Sequence, residues 1–165
     1  MAEYPLVFTY QDTVSGDGFL ARVEINGRGL MAQEDGEWWM LGVRPAALAG
    51  GGETPAGAYL AFRNAYKAVL IDAAVTAAGF DAFKAEVERF FNERDEAEEK
   101  RWTEAGEAIG KEKVAVEAPF DAIKREPPGM RPVSVSVVQM DNQQRFTAAQ
   151  NVLDSYALSV RQPAA

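Results

Sequence analysis

Apolar and polar positions alternate through the first forty residues. In PLVFTYQDTV, Leu6, Phe8 and Tyr10 fall on one side and Val7, Thr9 and Gln11 on the other, the period of two that marks a strand with one buried face. After a turn at SGDG (15–18), FLARVEI repeats the pattern, with Phe19, Ala21, Val23 and Ile25 on one face. Asn26-Gly27 follows, a strong hairpin signal because both central positions of a type I′ turn need positive φ. RGLMAQ then reads as a short third strand, Asp35-Gly36 as a second such turn, and EWWMLGV as a fourth strand ended by Pro45. Residues 5–44 are expected to form an antiparallel meander of about four strands.

The period changes after LAGGGETPAG (48–57). Thr54 is a good N-cap and Pro55 suits the first helical position, and Phe62, Tyr66, Val69, Leu70 and Ala73 recur at helical spacing. A helix is expected over 54–78, closed at Gly79. A second begins near Asp81 and buries Phe83, Val87, Phe90 and Phe91. Beyond Asn92 charge dominates, and only Trp102 and Ile109 look like core residues. With pairs such as Glu96 and Lys100 at i,i+4, residues 81–113 read as a charged helical extension, an exposed arm suited to self-association. A proline-rich stretch (114–132) is expected to be irregular. VSVSVVQM (133–140) alternates again and reads as a strand returning to the sheet, because a lone strand would leave its backbone unpaired. QRFTAAQNVLDSYALSV (144–160) places Phe146, Ala149, Leu153, Tyr156 and Val160 on one helical stripe. The fold class is α+β: the meander packed by one or two long helices, a late strand and a C-terminal helix, all in a single domain spanning 1–165.

Composition removes several chemistries. The chain of 165 residues has no Cys and no His, so disulfides, Cys/His zinc sites and Ser-His-Asp or Cys-His catalytic groups are excluded. A net charge of −8 argues against nucleic acid and suits a basic partner or simple solubility. No signal peptide or transmembrane run is visible, so a cytoplasmic, non-membrane protein is expected. The glycines of LAGGGETPAG are not a phosphate loop. No Lys-Ser/Thr follows Gly52, and Glu53 would repel an anion at the helix N-terminus. They read as slack between strand and helix.

Asp12, Asp17, Asp35 and Glu37 read as turn chemistry, leaving no acid cluster for a metal. Arg22, Arg28, Arg44, Arg63 and Lys67 are scattered and read as ordinary surface. No cofactor is expected. Trp38 and Trp39 are neighbours on a strand and point to opposite faces. One belongs to the core, and the other lies under a helix or on a surface that binds a partner.

YPLVFTYQD, DGFLARVEI and GVRPAALAGGGETPAGAYLAFRNAYKAVLIDAA, taken in order, resemble the HicB-like antitoxin family over roughly residues 4–78. The match lies in a Tyr/Phe-rich first strand, a D-G-x-Φ second strand (Φ apolar), the step Gly52-Glu53-Thr54, and a helix carrying Ala58, Phe62, Tyr66, Val69 and Leu70. The resemblance implies a partial, catalytically empty RNase H-like fold that masks a small basic ribonuclease. Family members often carry an appended DNA-binding motif. Here the extra hairpin RGLMAQEDGEWWML, the charged helix and a single helix after the last strand depart from the pattern. DNA binding is not supported, since a ribbon-helix-helix needs two helices after its strand and a basic surface. The expected function is a non-enzymatic, oligomeric binding protein of antitoxin type. The alternative is an α+β small-ligand-binding, structural or oligomerisation protein.

Overall fold

The computed structural model describes residues 3–111, 119–120 and 132–140. In chain order the elements are β1 (Glu3–Gly16), β2 (Phe19–Glu34), β3 (Glu37–Arg44), β4 (Ala49–Gly52), α1 (Pro55–Thr76), α2 (Phe80–Asn92), α3 (Glu96–Gly110) and β5 (Ser134–Gln139). The fold is α+β, as the alternating and helical periods anticipated. All five strands join one antiparallel sheet ordered β1-β2-β3-β4, with β5 also beside β2. The expected crossing at 114–132 and the C-terminal helix at 144–160 fall largely or wholly outside the described residues.

β2 organises the sheet. Along one side it pairs with β1 from Phe19 to Ala32. Along the other, its first part (Ala21–Asn26) pairs with β5 and its remainder (Arg28–Glu34) with β3. The expected return of the late strand is therefore met: it lies beside the first part of β2, before β3 begins.

The Asn26-Gly27 hairpin is corrected. Both residues lie inside β2, paired with Thr9 and Phe8, and Gly27 has no positive φ. The Asn26 side chain meets Thr9 Oγ1 at 2.6 Å and donates to Ser134 Oγ at 2.8 Å, tying three strands together. A fourteen-residue ladder to β1 outweighs a local turn preference of two residues. Asp35-Gly36, by contrast, turns as expected, with φ of 52° and 84°.

One face of the sheet carries the main core. Phe8, Tyr10, Phe19, Val23, Ile25, Met31 and Met40 lie there with Phe62, Tyr66 and Leu70 of α1 and Phe83, Val87 and Phe91 of α2. Thr54 caps α1, its hydroxyl accepting from the Gly57 N–H at 3.0 Å. The glycine run is corrected too: it is not slack but strand β4, paired with β3 through Trp38↔Gly52 and Met40↔Gly50. A Cβ on Gly50 would stand 2.2 Å from the Phe62 backbone nitrogen, and one on Gly52 2.7 Å from that of Ala58. The bare backbone lets α1 lie directly on β4.

α3 covers part of the opposite face. Trp102 and Ala105 pack on Leu30 and Val43, with Leu41 alongside. The Trp102 indole N–H donates to the Leu6 carbonyl at 3.2 Å. The charged segment thus lies against the sheet rather than projecting as an arm. Its stripe is narrow, so sequence hydrophobicity alone under-represents it. On its solvent side Lys100 pairs with Glu104 rather than with Glu96.

Candidate protein-binding surface

Trp38 and Trp39 lie near the open end of β3, beside the turn that joins it to β2. Both are half-buried and point to opposite faces. Trp38 packs on the main-core side with Tyr4 and Phe120, at ring separations of 6.4 and 5.8 Å. Trp39 faces the other way and covers Gly51 across the strand pair, where a Cβ would stand 3.0 Å from the indole. Each side chain therefore has a packed body and an accessible edge. Sequence reasoning separated the two faces, and the structure places one tryptophan on each.

The surroundings are acidic. Glu34 and Glu37 pair across the hairpin, Asp35 sits in the turn between them, and Glu53 follows Gly52, the partner of Trp38. All four acids are exposed, and none forms an ion pair among the described residues. The tip of the sheet thus presents two tryptophan edges among four unpaired carboxylates. Asp35 lies in the turn and Glu37 directly after it, and Glu34 and Glu53 extend the charge beyond it.

The remaining polar groups are structural. Arg63 on α1 makes a two-pronged pair with Asp12 on β1, both bonds 2.8 Å. Its guanidinium lies 4.1 Å from the Tyr10 ring and 5.5 Å from that of Tyr66. Asp12 is a strand residue facing the core side, not a turn acid, and Arg63 is not ordinary surface. Burial pushes the Tyr10 and Tyr66 hydroxyls well above the usual tyrosine range, with Tyr59 adding to the effect at Tyr10 and Asp12 at Tyr66. The Tyr66 hydroxyl is buried without a hydrogen-bond partner among the described residues. The groups of this cluster hold α1 to β1.

Arg28 and Arg44 are also corrected from surface to seam. Arg28 lies over the Trp102 ring at 4.6 Å. Arg44 reaches Glu99 at 3.4 Å and Asn92 at 3.3 Å. The Glu99 carboxyl is held below the ordinary range, first by hydrogen bonding from Arg94 and then by the charges of Arg94, Arg44 and Arg28. These contacts fix α3 and the α2–α3 junction to the sheet.

Among the described residues there is no group of three or more acidic side chains placed to hold a metal. No helix among them is long and apolar enough to cross a membrane. A depression lined by Val7, Phe8, Thr9, Asn26, Gly27 and Pro132 has a volume of about 10 Å³, the scale of a single water. On α1, Tyr59, Leu60, Ile71 and Val75 stand exposed, with the polar residues Asn64, Lys67 and Asp72 exposed among them. No protein-family model matches the chain, and neither a curated protein nor a solved structure matches it.

Proposed function

We propose that this protein is a non-enzymatic binding module of the HicB antitoxin type, which masks a small basic protein such as a ribonuclease. The observation that supports this most is the β2–β3 tip, where Trp38 and Trp39 lie among Glu34, Asp35, Glu37 and Glu53, acids without a counter-charge among the described residues. Half-packed tryptophans supply rigid apolar contact, and unpaired carboxylates steer and orient a cationic partner. The net charge of −8 acts in the same direction over a longer range. Binding by this surface requires no chemistry from the chain; the segments that resemble the family run through β1, the first part of β2, β4 and α1, while Trp38 and Trp39 lie in the hairpin that departs from the family pattern.

The full-length protein, tagged at its N-terminus, is used to capture partners from the lysate of its own host. Recovered proteins are identified by mass spectrometry and assayed for ribonuclease activity with and without added protein. The expected result is a small basic protein whose ribonuclease activity falls on binding. Recovery of no basic protein, or recovery with undiminished activity, would remove the antitoxin reading.

A further inference from the structure

β1 lies at the edge of the sheet. It pairs with β2 along all 14 of its residues, and its other edge has no strand partner among the described residues. α3 holds the start of the strand, where Arg101 pairs with Glu3 and Trp102 bonds the Leu6 carbonyl. Beyond that point Val7, Thr9, Gln11, Thr13 and Ser15 all stand exposed. Exposed edge strands are ordinarily blunted by lysine, proline, a bulge or an inward-pointing charge. Between Val7 and Ser15 there is no Lys and no Pro, and the register with β2 is unbroken. The one charge, Asp12, points inward and is neutralised by Arg63 through two bonds of 2.8 Å.

The backbone of this edge is aimed outward. The Met140 N–H bonds the Leu20 carbonyl, so Leu20 turns its backbone groups to the β5 side of β2. Successive residues of a strand alternate sides, so Ala21, Val23 and Ile25 turn to β1, toward Val14, Asp12 and Tyr10. The odd-numbered residues from Val7 to Ser15 therefore direct their N–H and C=O groups away from β2.

We propose that Val7–Ser15 is a dimer interface, at which β1 of a second copy pairs antiparallel across a twofold axis and joins two sheets into one. Charge selects this edge for a second copy. The chain carries a net charge of −8, so two copies repel over most of their surfaces, whereas this edge has no net charge. With the axis at Gln11, Thr9 meets Thr13 of the second copy, Val7 meets Ser15 and Tyr10 meets Asp12. No like charges face one another in that register, whereas an axis at Asp12 sets the two Asp12 carboxylates together. The outward groups then supply about ten backbone hydrogen bonds between the copies. The acidic tip lies beyond the opposite end of β1, since Glu3 pairs with Ala32, so the pairing leaves both tips open. The inference stands apart from the tip and from any partner bound there.

The full-length protein is followed by light scattering and sedimentation across a dilution series, beside two variants. Gln11→Pro removes an outward N–H at the axis and none of the bonds to β2. Thr9→Lys/Thr13→Lys sets lysines of the two copies against each other. Both changes fall on exposed positions, so the far-UV circular dichroism of each variant is expected to match wild type. Wild type should show a species of twice the chain mass that dissociates on dilution. Each variant should weaken its dimer about a hundredfold or more. A wild type that stays monomeric at every concentration, or a folded variant of either kind that dimerises as tightly as wild type, would overturn the proposal.

Discussion

The two faces of the sheet are held in different ways. On one, α1 sits so close to β4 that glycines take the places of side chains, and a broad aromatic and aliphatic core extends from Phe8 to Phe91. On the other, α3 is held by a small cluster of Leu30, Val43, Trp102 and Ala105, with Arg28, Arg44, Arg94 and Glu99 around it. Close packing is rigid and indifferent to salt, because it depends on shape and apolar burial. A small core edged with partly exposed ion pairs is weaker and responds to charge. The α1 side should behave as the permanent part of the fold, and the α3 side as the part that opens first.

The comparison breaks most completely at Gly50. In Gly50→Val the new side chain meets the Phe62 backbone, which cannot rotate away, so α1 must lift from β4. The loss is expected to exceed about 4 kcal/mol, in the range of severe core mutations, and to appear as a collapse of the thermal transition. Trp102→Ala is expected to cost about 3 kcal/mol through lost packing and the lost bond to the Leu6 carbonyl. Its signature is local: hydrogen exchange should quicken in α3 while α1 and β2 keep their protection. Equal acceleration in both helices would show that the two faces are one cooperative unit.

A smaller effect is expected at the polar contact on the α1 side. Arg63→Met leaves the Asp12 carboxylate half-buried and unpaired, at a cost of about 2 kcal/mol in chemical denaturation, reduced from the fully buried case by residual exposure. If this variant were as stable as wild type, the cluster would be a surface contact after all.

The two sides should also separate by pH. Tyr10 and Tyr66 have folded-state values above the unfolded value near 10, so the stability they carry is present below that pH and is lost as pH rises beyond it. Alkaline titration should therefore loosen the α1 side. Glu99 is shifted the other way, so its contribution is present above the ordinary carboxylate range and fades as pH falls through its lowered value. Acid below the ordinary carboxylate range should loosen α3, by a lesser amount because Glu99 remains partly exposed to solvent. Amide exchange of the two helices at both extremes checks the pattern, and α1 opening before α3 in acid would refute it.

Much of the fold was legible where a local signal and the tertiary contacts agree. Thr54-Pro55 begins α1 and Asp35-Gly36 turns the chain as their chemistry requires. Asn26-Gly27 misled because its turn preference is local while its pairing is not. A clue was nonetheless present, since the inward parity of Phe19, Ala21, Val23 and Ile25 continues unbroken to Met31. A two-residue hairpin would have interrupted it. The same parity puts Asp12 on the side of Phe8 and Tyr10, where a carboxylate needs a cation, yet nothing in one sequence points to Arg63 fifty-one positions later. Glycine has low strand propensity, so β4 was invisible until its pairing with β3 gave it a reason. At the tip, Trp38-Trp39 was readable as a surface feature. The convergence of Glu53 with Glu34 and Glu37 depends on β4 and was not readable.

The measurement that bears most directly on the proposed role is a parallel capture with wild type and two variants. One neutralises the tip (Glu34→Gln, Asp35→Asn, Glu37→Gln and Glu53→Gln), and the other alters exposed apolar residues of α1 (Leu60→Ser and Ile71→Ser). A basic protein retained by wild type and by the α1 variant, released by moderate salt and lost from the tip variant, is the predicted result. Retention of the same protein at full strength by the tip variant would contradict it.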